Sequence, residues 1–230
     1  MDFLQILFTA ILPIIVIAVI IYRVDRFDRE PIKLLAKIMF FGAVAVLPVL
    51  LFEVILGSIS FAGLLGTAYR AFIGVALVEE VFKWLVVILF AYRRPEFDEP
   101  LDGIVYCVFS ALGFAAVENI MYVVSNYAVS PNIAFYRGIL SVPGHALFGV
   151  SMGYFLSLAK YATDRAASRR YMRRSLLVPI FFHGVYDFML FVQSPLLLLL
   201  FIPFVIYMWV NGIKKLKQFA VISKANNGMH

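Results

Sequence analysis

Apolar runs of about twenty residues recur along this chain, parted by short polar connections, and that recurrence leaves few folds open. A helix rising ~1.5 Å per residue needs roughly 20 apolar residues to cross a ~30 Å hydrocarbon core. Inside lipid, every backbone N–H and C=O must be satisfied within the segment or by a closed barrel. We therefore expect an all-α polytopic bundle of about seven transmembrane spans, at about 3–22, 34–57, 69–91, 103–125, 134–159, 175–193 and 195–212. Only Gln193-Ser194-Pro195 parts the last two, and a polar pair followed by proline can close a tight helical hairpin. No connection is long enough to fold by itself, so residues 1–230 read as one integral membrane domain.

Composition agrees. Hydrophobic residues make up 63% of the chain and charged residues 15%, where a soluble domain carries about 25% charge. Lipid is the solvent that suits such a surface, which implies a multi-pass protein of the cell membrane. The net charge of +6 sits in short clusters between the apolar runs, a topology pattern rather than a stripe for nucleic acid. The single cysteine, Cys107, excludes a disulfide framework and a cysteine zinc site.

Lysine and arginine alternate by connection. The first holds Arg23, Arg26, Arg29, Lys33 and Lys37, the third Arg93 and Arg94, and the fifth Lys160, Arg165, Arg169, Arg170, Arg173 and Arg174. The tail adds Lys214, Lys215, Lys217 and Lys224, which makes 17 of the 20. The positive-inside rule then places the N-terminus outside and the C-terminus in the cytoplasm. The first run lacks a positive region before it and a small-x-small site after it, so it reads as a retained span rather than a signal peptide.

Against this background, seven ionisable side chains lie inside the expected spans: Glu79, Glu80, Lys83, Glu118, His145, His183 and Asp187. Each carboxylate or lysine costs roughly 2.5–3.5 kcal/mol at the bilayer centre, so five of them amount to on the order of 12–17 kcal/mol before pairing. Glu79 lies about nine residues below Arg70, His145 eight below Arg137, Glu118 about nine from Tyr127 and His183 about ten from Gln193. All four therefore fall ~12–15 Å beneath the outer surface. Glu79 and Lys83 are i, i+4, Glu80 and Lys83 i, i+3, and His183 and Asp187 i, i+4. Asn119 follows Glu118 as a further donor and acceptor. Pro143 and Pro179 precede the two histidines and free backbone carbonyls there. Glu53 lies near a span end and reads as interfacial.

Several protease signatures fail. H-E-x-x-H is missing, as is G-x-G-D on a span. Gly149-Val150-Ser151-Met152-Gly153 matches G-x-S-x-G, but that motif needs a strand–turn–helix elbow, and here it falls mid-helix.

In order, the chain carries Val78-Glu79-Glu80-Val81-Phe82-Lys83-Trp84, Phe97-Asp98-Glu99 with Asp102-Gly103, and Phe114-Ala115-x-x-Glu118-Asn119. Val142-Pro143-x-His145, His183-Gly184-x-Tyr186-Asp187 and Asp28-x-Glu30-Pro31 complete the set. This set of motifs resembles the PrsW family of membrane proteases. The resemblance implies a site-1 protease that cuts a single-pass anti-sigma factor on its outer side in response to envelope stress. The CAAX-processing and bacteriocin-immunity membrane proteases are similar at a greater distance. This chain departs from them in the position of Lys83 and in having Glu118 where they have histidine.

The sequence therefore supports hydrolysis by a glutamate-activated water, without a cofactor. Glu79, Glu80, His145 and His183 are the catalytic candidates, and Lys83, Glu118, Asn119 and Asp187 support them. Lys83 would hold one glutamate ionised, His145 would shuttle a proton, and His183 and Asn119 would donate to the oxyanion. The expected partners are the lipid bilayer and a single-pass membrane protein. The alternatives are Zn²⁺ held by the same histidines and a glutamate, a proton- or ion-coupled transporter, and a non-catalytic membrane chaperone.

Overall fold

The computed structural model describes residues 3–126 and 132–227, and among these every regular element is helical. Tyr127, one of the depth markers above, lies outside them. The helices are α1 (Phe3–Val24), α2 (Ile32–Val44), α3 (Val46–Gly57), α4 (Gly63–Tyr69), a π-helical segment (Arg70–Leu77) and α5 (Val78–Phe90). Then follow α6 (Pro100–Asn126), α7 (Ile133–Ile139), α8 (Ser141–Lys160), α9 (Arg165–Val192) and α10 (Pro195–Asn227). Six stretches are long and apolar enough to cross a membrane: 7–24, 32–57, 100–126, 134–160, 165–192 and 195–227. The seventh expected run is the helical path through α4, the π segment and α5. Its buried Glu79, Glu80 and Lys83 set it apart from the apolar six.

Two expected spans are broken, each by a proline. Pro48 has no N–H to give the carbonyl of Val44, and α2 passes into α3 at Ala45. Pro143 likewise cannot reach Ile139, and the run at about 134–159 divides into α7 and α8 at Leu140. Between α9 and α10, Gln193 adopts the left-handed conformation (φ 53°) and Pro195 opens the next helix, so the hairpin closes in two residues.

Two helices run past their expected ends. Asp164 caps α9 by accepting from the backbone N–H of Ala167 at 2.7 Å, so the helix begins ten residues before the expected start of that span, at Arg165. Arginine is a good helix former, so Arg165–Arg174 continues the helix out of the apolar zone. The lysines that follow 212 extend α10 in the same way.

α6 is the axis of the molecule. Its residues from Leu101 to Ala115 are all buried, whichever way they face. α2 packs on one side, where a side chain at Gly42 would meet the Ser110 carbonyl and one at Gly113 the Met39 carbonyl. α8 packs on another, with Gly149 and Gly153 against the backbone of Cys107 and Gly103. Small residues thus let three backbones approach closely, the usual device for packing helices in lipid. α1, α3 and α10 turn apolar side chains such as Val54 and Leu199 outward, as lipid-facing helices do.

Candidate active site

α5 begins directly after the π segment and presents Glu79, Glu80 and Lys83 on one face. Lys83 Nζ lies 2.8 Å from Glu79 Oε2 and 2.8 Å from Glu80 Oε1. All three side chains are almost wholly buried. The third partner of the ammonium is Nδ1 of His145 on α8, at 2.9 Å. The Phe114 ring on α6 faces the same ammonium, 4.3 Å from its centroid.

From His145 the contacts continue outward. Its Nε2 lies 2.9 Å from Glu118 Oε2 on α6. Arg137 on α7 places Nη2 3.0 Å from the same oxygen and donates from Nε to Asn119 Oδ1 at 2.8 Å. Asn119 Nδ2 donates to the Ala10 carbonyl on α1 at 2.7 Å. Asn119 therefore has both ends engaged and does not face the cavity described below.

His183 on α9 completes the cluster. Its Nδ1 lies 3.0 Å from Glu80 Oε1 and 4.0 Å from Glu79 Oε2, and its Nε2 lies 3.4 Å from Asp187 Oδ2. Phe148 stacks on the His183 ring at 4.6 Å between centroids. The two imidazoles stand edge to face, 5.5 Å apart. All eight residues singled out from the sequence thus meet in one network drawn from α5, α6, α8 and α9.

A cavity of about 770 Å³ opens onto this network. Glu79, Glu118, His145, His183 and Asp187 line it, whereas Glu80 and Lys83 lie behind its wall. Ile59, Ser60 and Phe61 of the α3–α4 connection also line it, as do Arg70 and Arg137, and that connection belongs to the end of the bundle which the charge pattern places outside. Glu53 lines the same cavity and is half-buried.

Three features escaped the sequence reading. Arg137 enters the sequence reading only as a marker of depth, yet it pairs with Glu118 and holds Asn119. Phe148 looked like one aromatic among many and gives no sequence signal of its own. The π segment, a rare form that recurs at functional sites, carries no sequence mark either. Ser151 of the G-x-S-x-G match is buried mid-helix on α8, where it accepts from Lys215 at 3.2 Å, away from the cluster.

Glu79, Glu80 and His183 also offer three ligand atoms all within 4.8 Å of one another. Glu80 Oε2 is buried without a hydrogen-bond partner among the described residues. Two carboxylates and an imidazole are a donor set of the kind that binds zinc, so these residues fit a divalent cation, in competition with the Lys83 ammonium.

The family model described as "PrsW family intramembrane metalloprotease" matches residues 30–210. Protease PrsW of Geobacillus kaustophilus (strain HTA426) is 38% identical over 198 residues, covering 86% of this chain and 84% of the relative. Protease PrsW of Clostridioides difficile (strain 630) is 34% identical over 223 residues, 96% of this chain and 94% of the relative. That of Bacillus subtilis (strain 168) is 34% identical over 197 residues, 86% and 87% of the two chains. No solved structure matches.

Proposed function

This chain belongs to the PrsW family of intramembrane metalloproteases, and from that premise we propose that Glu79 activates the water with which it cuts a single-pass membrane protein near the external face. That the chain is a multi-pass membrane peptidase follows from the family itself. The mechanism and the substrate are our reading.

One observation carries the mechanism: of the two adjacent glutamates, Glu79 lines the cavity and Glu80 lies behind it. Glu79 takes a proton from water as the oxygen attacks the scissile carbonyl carbon. His183, at the cavity wall, turns its Nε2–H from Asp187, 3.4 Å away, to the oxyanion that forms. The carbon–nitrogen bond breaks, and the leaving amine receives the proton that Glu79 took, leaving an amine and a carboxylic acid that then loses its proton to solvent. Glu80 holds His183 and Lys83 in place from behind. His145, fixed between Lys83 and Glu118, is the second proton shuttle.

The position of the cavity supports our reading of the substrate. A peptide entering past Ile59–Phe61 reaches Glu79 from the outer end, as a first cut beside a transmembrane helix requires. By the resemblance of its motifs, the substrate is an anti-sigma factor and the setting an envelope stress response.

A second reading rests on the convergence of Glu79, Glu80 and His183. These three would hold Zn²⁺, which when bound would polarise the carbonyl as a Lewis acid. The deciding experiment is cleavage of a single-pass substrate by purified protein in detergent, with and without a strong chelator. We expect Glu79→Gln, Glu80→Gln, His145→Ala and His183→Ala to be inserted but inactive. Normal cleavage by the double glutamate variant would end the proposal, and activity that survives the chelator would remove the metal.

A further inference from the structure

A second acidic cluster lies at the opposite end of α6, and the proposed chemistry makes no use of it. Asp102 is sixteen residues before Glu118 on that helix, hence ~24 Å away. Around Asp102 gather Asp25 and Glu30 from the α1–α2 connection, and Glu99 from the α5–α6 connection. Asp25, Glu99 and Asp102 each offer a carboxylate oxygen, all within 4.8 Å of one another. Asp25 and Asp102 are fully buried and Glu99 is 3% exposed.

One oxygen of each is accounted for. Asp25 Oδ2 accepts from the Glu30 N–H at 3.0 Å, and Asp102 Oδ2 from the N–H groups of Asp98 and Glu99 at 2.9 and 2.7 Å. Glu99 Oε2 accepts from Asn227 Nδ2 on α10 at 3.1 Å. Glu30 accepts from the Tyr106 hydroxyl. The other oxygens, Asp25 Oδ1, Glu99 Oε1 and Asp102 Oδ1, are buried with no hydrogen-bond partner among the described residues. Each such oxygen lies on a side chain more than nine-tenths buried and belongs to the converging group.

The neighbouring cations are engaged elsewhere. Arg29 lies over the Tyr22 ring and Arg26 over the Phe27 ring. Lys160 donates to the Tyr92 carbonyl and sits over Phe97. Among the described residues no ion pair within 4.0 Å reaches any of these carboxylates. Burying several like charges without a counter-charge is costly. The oxygens therefore call for protons or for a metal, and an all-oxygen donor set selects a hard cation.

We propose that Asp25, Glu99 and Asp102 form a binding site for a hard divalent cation of the Ca²⁺ or Mg²⁺ class, separate from the catalytic cluster. The ion ties the α1–α2 connection, the α5–α6 connection and the start of α6 together, with the end of α10 held beside them through Asn227. The segments Asp28-x-Glu30-Pro31 and Phe97-Asp98-Glu99 with Asp102-Gly103, which lie far from the peptidase cluster, thereby acquire a role. The site does not depend on how peptide hydrolysis proceeds.

Terbium luminescence on the full-length protein in detergent tests this. Tyr106, joined to Glu30, places a sensitiser beside the three carboxylates. Tyrosine excitation should give saturable Tb³⁺ emission that Ca²⁺ or Mg²⁺ competes away. Asp25→Asn should weaken Tb³⁺ binding by roughly tenfold or more, whereas Glu53→Gln, a carboxyl of the other cavity, should leave it unchanged. Should Asp25→Asn fail to fold, melting of the unaltered protein decides, with millimolar Ca²⁺ or Mg²⁺ raising its melting temperature relative to chelator. The proposal is overturned by emission that Asp25→Asn leaves intact, by emission that Glu53→Gln abolishes, or by a melting temperature that neither ion moves.

Discussion

Lys83 Nζ lies 2.9 Å from Nδ1 of His145, and that contact fixes where the protons sit around it. An ammonium has three protons and no lone pair. Two of its protons go to Glu79 and Glu80, so His145 must accept the third at Nδ1. The proton of the imidazole then sits on Nε2 and is donated to Glu118. One oriented chain thus runs from α5 through α8 to α6 and ends at Arg137 on α7.

Removing the head of that chain should be severe. Lys83→Met leaves two buried carboxylates facing each other and should destabilise the protein by about 3–5 kcal/mol, with loss of cleavage. Adding Glu80→Gln should recover part of the stability and none of the activity. Unfolding in detergent, read beside peptide cleavage, checks both. A stable, active Lys83→Met protein would show that the ammonium holds nothing in place.

The two glutamates should separate in the same assays. Glu79→Gln should abolish cleavage with little loss of stability, because its side chain borders the cavity. Glu80→Gln should lose both, since it weakens contacts to Lys83 and His183 that are fully buried. If Glu80→Gln kept its activity and Glu79→Gln kept its own, the assignment of the base would be wrong.

Arg137 is the test of what the sequence concealed. Arg137→Ala should lower kcat by about tenfold with KM little changed, because it removes a charge-assisted contact to Glu118 rather than a substrate contact. Arg137→Lys should restore part of the rate. An unchanged kcat in Arg137→Ala would confine this residue to topology.

Seven of the eight candidate residues were legible because ionisable groups in lipid are conspicuous, and the depth of four could be counted from the chain, whereas Asn119 was legible only as the neighbour of Glu118. Arg137 was hidden by the same logic, for an arginine at a span end is ordinary. The seven runs were legible from hydropathy, but the break at Leu140 and the extension of α9 to Arg165 were not. Hydropathy marks where lipid begins and says nothing about where a helix ends once it leaves lipid. Asp25, Glu30, Glu99 and Asp102 were visible as motifs, yet only the fold brings residues of two connections onto one helix end. Glu53, read as interfacial, lines the cavity because α3 packs against the π segment and α5.

The second acidic cluster makes a prediction about pH. Burial pushes the Asp25 carboxyl up to about 6 and the Glu30 and Glu99 carboxyls up to about 7, from ordinary values of 3.8 and 4.5. Asp28 adds to the rise at Asp25 and Glu99, and Arg29 partly opposes it at Asp25. As pH climbs from about 4 to about 7, the unfolded chain loses protons that the folded chain keeps, so stability contributed here falls and then levels off. In chelator, the wild type should therefore lose more stability over that window than Asp25→Asn does. Ca²⁺ or Mg²⁺ should flatten the wild-type curve. Parallel curves for the two proteins would show that Asp25 is not held protonated.

The last prediction concerns how the cluster is held at all. His145 and Gly153 lie on the same helix, α8, two turns apart, and Gly153 rests on the backbone of Gly103 in α6. A side chain at Gly153 would meet the Gly103 carbonyl, and neither backbone has room to yield without moving its helix. Gly153→Ala should therefore cost about 1–3 kcal/mol, and Gly153→Val more, as α8 is pushed off α6. That displacement would separate His145 on α8 from Glu118 on α6, so cleavage should fall with stability although the change lies far from the cavity. Gly57→Ala, where an added methyl meets nothing within 4 Å, is the control and should change neither. Full activity in a stable Gly153→Val protein would show that the α6–α8 seam does not set the distance between His145 and its carboxylate.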